Sequence, residues 1–345
     1  MKRRTLRIWP PGGSFMEQSK ISRRSFLRYA LASWVSAGLG NLTSVFIQGA
    51  TLNAIAGDVG STPMDAGRPS ATAQEAAILR AAHQILDKPR IFDDPIALQI
   101  IGATTESALR SNPERFNTRR SLRAFIALRS RYAEDELAGA VKRGTRQYVI
   151  LGAGLDTFPY RNPYPESSLR VFEVDHPATQ SWKRQRLGEA GIATPGSLVF
   201  VPIDFERQTL ADELKKKGFR ADRASFFSLL GVVVYLTKPA VMETFKFVAS
   251  LAVGSEIVFD YGVPSSLLTE NQRSVREAGA KRAATLGEPW ITYLDPPSFT
   301  SELQGMGFRH VEDLSPEEAN ERYFKGRADG LRLGGASRLM KARVG

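Results

Sequence analysis

Gly152 and Gly154 are the residues whose types and spacing point most directly to chemistry, in the run Tyr148-Val149-Ile150-Leu151-Gly152-Ala153-Gly154-Leu155-Asp156-Thr157. An apolar strand that runs into a glycine-rich turn lets the backbone approach a nucleotide-like cofactor closely. A second apolar run, Leu169-Arg170-Val171-Phe172-Glu173-Val174-Asp175, ends on a carboxylate. Asp175 lies about 20 residues beyond the turn, where a doubly wound sheet reads a ribose. Thr157 stands where a dinucleotide fold has its third glycine, and Asp156 puts a negative charge beside the turn. That charge repels a pyrophosphate and tolerates a cofactor with an ammonium and a sulfonium. The residues therefore favour S-adenosylmethionine. NAD, with a dehydrogenase chemistry, and a purely structural turn stay open as alternatives.

Other polar residues extend the candidate site. Asp175 can accept from both ribose hydroxyls or cap the helix entered at His176-Pro177. Asp204 follows the third strand; it can accept from an adenine amino group while Phe205 packs on the ring, or it can cap the next helix. Arg129 and Arg131 are candidates to clamp a carboxylate in bidentate fashion. Their i and i+2 spacing puts them on different helix faces, so only one is expected to reach the site. Glu173 is expected to support the strand, and His83, beside an apolar stripe, is expected to be packed and satisfied. No catalytic residue is named: no Ser-His-Asp or paired-carboxylate arrangement stands out, and Tyr235 can either orient an acceptor or pack behind a strand.

Four blocks carry a family resemblance. They are Ser70 to His83 with Ile91-Phe92-Asp93-Asp94-Pro95; Leu128-Arg129-Ser130-Arg131-Tyr132; Leu151 to Arg161 joined to Phe172 to Pro177; and Ile203-Asp204-Phe205 with Phe226 to Thr237. Over roughly residues 64 to 312 the chain resembles bacterial S-adenosylmethionine-dependent methyltransferases related to leucine carboxyl methyltransferase and to polyketide carboxyl O-methyltransferases. The resemblance implies a class I methyltransferase fold: α/β, a doubly wound, mostly parallel seven-stranded sheet with an N-terminal helical cap. It also implies S-adenosyl-L-methionine as methyl donor, a small-molecule acceptor whose oxygen can belong to a carboxylate, Arg131 at the methionine carboxylate, and Asp204 at the adenine. One position departs from the pattern. A glutamate commonly precedes the glycine after strand four, near the methionine part of the cofactor, and here Leu230 precedes Gly231. A carbonyl, Ser228 or a water is then expected to meet the ammonium.

The elements that must position these residues follow from periodicity. Strands are predicted over 147–151, 169–174, 198–203, 224–230 and 255–261, with helices over 206–217 and 237–252 between them. Pro202, unable to donate to a ladder, is expected to end regular pairing in the third strand. Ahead of the sheet, helices are predicted from Thr72, capped by Thr72 with Glu75, and over 93–101 and 118–140. Trp290-Ile291-Thr292-Tyr293 and Phe308-Arg309-His310-Val311 are expected to add antiparallel strands. The resulting division is a leader over 1–56, a linker over 57–70, a helical cap over 71–145, a methyltransferase core over 146–325 and a flexible tail over 326–345.

Composition narrows the function further. The 345 residues include no cysteine, which excludes disulfides and thiolate chemistry, and three histidines too dispersed for a metal site. The net charge of +11 sits mainly at the front: residues 1–28 carry eight Lys or Arg and only Glu17. No nucleic-acid partner is expected, because aromatic residues do not interleave with the basic ones. Ser22-Arg23-Arg24-Ser25-Phe26-Leu27-Arg28 resembles a twin-arginine export signal, followed by a mildly apolar stretch that reads poorly as a membrane span. The competing reading is a basic leader ahead of a start at Met64. The active pool is expected in the cytoplasm, where the methyl donor is made; a catalytically silent exported protein is a further alternative.

Overall fold

The computed structural model describes residues 70–205 and 207–345. The expected leader, its twin-arginine-like motif, Met64 and all of the linker but Ser70 lie outside these residues. In chain order the helices and strands are α1 (Ala71–Leu86), α2 (Ala97–Ile100), α3 (Ala103–Ser111), α4 (Arg120–Lys142), β1 (Gln147–Leu151), β2 (Arg170–Asp175), α5 (Pro177–Glu189), β3 (Leu198–Pro202), α6 (Leu210–Lys216) and β4 (Phe226–Leu229). They continue as α7 (Lys238–Ala249), β5 (Glu256–Gly262), α8 (Glu270–Thr285), α9 (Pro296–Met306), β6 (Phe308–Leu314), α10 (Pro316–Tyr323) and β7 (Ser337–Val344).

The seven strands form one sheet in the order β3-β2-β1-β4-β5-β7-β6. β1 to β5 are parallel, and β7 runs antiparallel to both β5 and β6. This is the class I methyltransferase fold that the resemblance implies. Every residue of β1 is buried, and β5 is buried up to its last residue, because helices cover both faces of the sheet. The period of two divides β1 cleanly. Val149 and Leu151 pack with Leu214 of α6 and Phe245 of α7, whereas Tyr148 and Ile150 pack with Ala127, Leu128 and Leu137 of α4.

The N-terminal helices make a small core of their own, in which Ala77, Ala81, Ile100 and Leu109 meet Leu155 of the turn after β1 and Leu187 of α5. Ser70, rather than Thr72, caps α1: its hydroxyl accepts from the Ala73 N–H at 3.1 Å. The expected capping pair does not form, because a distant carboxylate takes over. Glu288 accepts from the Ser70 and Thr72 hydroxyls and from the Ala71 N–H, while Glu75 pairs with Arg119 and Arg282. Of the helix expected over 93–101 only α2 forms; Asp94 instead folds back on its own chain, accepting from the Ile96 N–H at 3.1 Å. α3 is an addition to the expected elements.

Two expectations at the C-terminal end are corrected. Residues 290–293 are not a strand. They cross the carboxyl end of the sheet as an irregular segment in which the Ile291 N–H donates to the Val234 carbonyl at 2.8 Å. The tail, expected to be flexible over 326–345, contains β7. Its basic residues reach carboxylates of α4 and β6: Lys341 meets Glu136 at 2.8 Å and Arg338 meets Asp313 at 2.7 Å, while Leu339, Met340, Ala342 and Val344 are buried.

Candidate functional site

β1 neighbours both β2 and β4, so the chain order along the sheet reverses at β1 and β4. A crevice outside the carboxyl ends of the strands is expected at such a switch point. The turn after β1 and the turn after β4 face each other there. Gly152 has φ 66°, and a Cβ on it would stand 2.5 Å from Cγ2 of Val232. Gly231 has φ 70°, and a Cβ on it would stand 2.6 Å from Nη1 of Arg129. Gly152 is therefore required by close approach as well as by backbone conformation, and Gly231 by backbone conformation, since the Arg129 tip can swing aside. A Cβ on Gly154 would lie 3.1 Å from the Ala73 Cβ, so the first turn of α1 sits directly over the glycine turn.

Gly152, Gly154, Asp175 and Asp204 gather along this one edge. Asp175 ends β2, and its carboxylate accepts from the Gly154 N–H at 2.6 Å and from the His176 N–H at 2.7 Å. Burial raises its pKa, and those two hydrogen bonds act against the rise. The helix behind it is capped by the His176 side chain, so Asp175 is not the cap of α5. Asp204 follows β3; its carbonyl accepts from the N–H of Arg207 and of Gln208, and Thr209 caps α6. Phe205 beside it is 43% exposed, uncommon for a large aromatic side chain among the described residues.

Arg131 does not join this group. Its guanidinium pairs with Asp135 one turn along α4 at 2.8 Å and donates to the Ile91 carbonyl at 3.3 Å. Arg129, on the other face, is the arginine that reaches the crevice, where Nη1 lies 3.5 Å from Asp260. Asp260 also accepts from the Gly231 N–H. Burial raises its carboxyl pKa and Arg129 draws it back. Ser228, one of the groups expected to meet an ammonium, is instead buried and paired with the Tyr148 hydroxyl at 2.8 Å.

Three residues with structural roles around the turn escaped the sequence reading. Asp94, quoted only as part of a motif, receives Arg80 at 2.8 Å and the Thr157 hydroxyl at 2.6 Å, and Arg80 also donates to the Leu155 carbonyl. Thr157 thus replaces the third glycine in order to tie the turn to the cap. Glu288 lies after α8, far from its partners in sequence. Asp260 interrupts the apolar run of β5, which is a signal in itself, because an acid inside a buried strand requires a partner. His83 is packed as expected: Nδ1 donates to Asp87 at 2.8 Å and Nε2 accepts from the Ile91 and Phe92 N–H groups.

The family model of leucine carboxyl methyltransferase matches residues 73–249, more than half of the chain. The chain belongs to that family. The S-adenosyl-L-methionine-dependent methyltransferase YktD of Bacillus subtilis (strain 168) is 35% identical over 288 residues, 76% of this chain and 93% of that protein. A relative described in the same terms, from Mycobacterium marinum (strain ATCC BAA-535 / M), is 31% identical over 60% of this chain and 72% of its own length. Among solved structures, that of a duf574 family protein from Streptomyces avermitilis MA-4680 is 18% identical, with a TM-score of 0.49, over 79% of this chain and 97% of that one. This family member is an S-adenosylmethionine-dependent methyltransferase, and the nicotinamide alternative falls. Among the described residues no group of His, Asp and Glu is placed to hold a metal ion, and no helix is long and apolar enough to cross a membrane.

Proposed function

We propose that the enzyme methylates an oxygen of a small-molecule acceptor, foremost a carboxylate, at the crevice between the β1 and β4 turns. The observation that carries this reading is the meeting of Gly152, Gly231, Arg129 and Asp175 at the switch point, in a chain of a family described by its carboxyl methylation. The residues fit the donor. Asp175 has hydroxyl-accepting capacity beyond its two backbone bonds, Arg129 offers a cationic fork, and the exposed ring of Phe205 offers a stacking face beside Asp204.

Bound there, the donor supplies an electrophilic methyl on a positive sulfur. The protein's part is to align the acceptor oxygen and to exclude water, and the start of α1 over Gly154 serves the second task. A carboxylate acceptor needs no general base. Burial raises the pKa of Tyr148 and Tyr235, so these phenols keep their protons and neither acts as a general base. In this reading a cap over 71–145 covers a core that runs from 146 and takes in β7. Supply of the donor places the active pool in the cytoplasm.

The test is a screen of carboxylic acids and phenols with a labelled donor methyl group. A product that releases methanol in mild base is a methyl ester and supports the reading. A base-stable product, or no product from any acid, overturns the carboxyl assignment.

A further inference from the structure

Leu230 removes a negative charge from the place where the family pattern carries glutamate, yet the cofactor's amino-acid end still brings an ammonium. The adjacent strand offers a substitute. β4 and β5 pair in register, Leu229 opposite Phe259, so the next residue along each strand path is Leu230 on one side and Asp260 on the other. Asp260 is 8% exposed and its carboxylate turns to the mouth of the crevice, accepting from the Gly231 N–H. Its cationic partner is held loosely. The Arg129–Asp260 contact is a single one of 3.5 Å, whereas the buried Arg123–Asp87 pair is bidentate with both contacts at 2.8 Å.

A buried carboxylate and a guanidinium side by side, each with bonding capacity left, match an α-amino acid zwitterion, whose ammonium and carboxylate are likewise adjacent. We propose that Asp260 receives the α-ammonium of the methyl donor in place of the missing glutamate, with Arg129 beside it taking the α-carboxylate. The proposal rests on the methyl-transfer reading and adds a residue to it. Asp260 is a binding residue that orients the donor; it takes no proton from the acceptor.

The test compares two ligands by calorimetry on the full chain. S-adenosylhomocysteine carries the amino-acid end, and 5′-methylthioadenosine lacks it. Asp260→Asn is expected to weaken S-adenosylhomocysteine by about tenfold to a hundredfold, the worth of one charge-assisted hydrogen bond, and to leave 5′-methylthioadenosine within about twofold, as for a contact it does not touch. Adding Leu230→Glu to that variant is expected to recover affinity for S-adenosylhomocysteine. Unchanged affinity in Asp260→Asn, equal loss of both ligands, or no recovery with Leu230→Glu overturns the proposal. Failure of the unaltered protein to bind either ligand sinks the methyl-transfer reading instead, so the two failures are distinguishable.

Discussion

Arg129 and Arg131 lie two residues apart on α4, about 200° around the helix axis from one another, and this phase decides which of them matters to the cofactor. Arg129→Ala is expected to weaken S-adenosylhomocysteine at least about tenfold. Arg131→Ala, which removes an exposed pair with Asp135, is expected to leave that affinity and the stability nearly unchanged, within about 0.5 kcal/mol. Titration calorimetry and urea unfolding of both variants check this; a larger loss for Arg131→Ala would reverse the assignment. Asp175→Asn should weaken S-adenosylhomocysteine and 5′-methylthioadenosine alike, by about tenfold or more, because a ribose is common to both. Selective loss of one ligand would remove Asp175 from the ribose. Gly152, Asp175 and Asp204 were legible as candidates in the sequence because Gly152 and Asp204 come just after a strand, and Asp175 closes one, that its own residues announce. The choice between Arg129 and Arg131 needed the helix phase relative to the sheet, and Asp260 needed the adjacency of β4 and β5, a non-local pairing that no window of sequence contains.

At the scale of elements, the cap is fastened by a buried cluster in which α1 supplies His83 and its terminal Asp87 while α4 supplies Arg123. Burial pushes the Asp87 carboxyl up, but hydrogen bonds from Arg123 and His83 outweigh it and bring the pKa to about 2, from 3.8. The folded value lies below the unfolded one, so between those values the unfolded chain binds the extra proton. The stabilisation is complete above pH 3.8 and is lost as the pH falls toward 2; it amounts to about 2 kcal/mol. Asp87→Asn should flatten that part of the acid dependence and, at neutral pH, cost about 3–5 kcal/mol by leaving Arg123 buried without a counter-charge. Urea unfolding across pH 2 to 7 measures both effects, and an unaltered slope would show that Asp87 carries no such linkage. A second fastening is Glu288 on the start of α1. Glu288→Ala should lower the melting temperature by several degrees, as expected for loss of more than one hydrogen bond to a carboxylate, and a thermal melt without change would deny it that role. The strands and α4 were readable from periodicity. The true cap of α1 was not, because Thr72 and Glu75 satisfy the local capping rule and lose to partners more than forty residues away in sequence.

Taken as a whole, the molecule is a sheet whose order departs from the chain sequence a second time beyond the reversal at β1 and β4: β7 lies between β5 and β6 although it is made after both. Deleting residues 336–345 should therefore abolish cooperative unfolding by circular dichroism, since β6 loses its neighbour and β5 loses a seven-residue pairing; a truncated chain that still melts in one transition would contradict the topology. The glycines at 330, 334 and 335 hid this strand by reading as the approach to a frayed end. The placement of β7 also governs the order of events during synthesis. Domains tend to fold as they emerge, at about 5–20 residues per second, and β1 to β4 can assemble on that schedule. The β5 edge, which carries Asp260, stays open until the chain has been made through Val344. A nascent chain thus holds the glycine turn and the ribose acid early, but cannot present a finished sheet to a ligand. Until β7 is made, it carries an apolar edge that invites pairing with other chains.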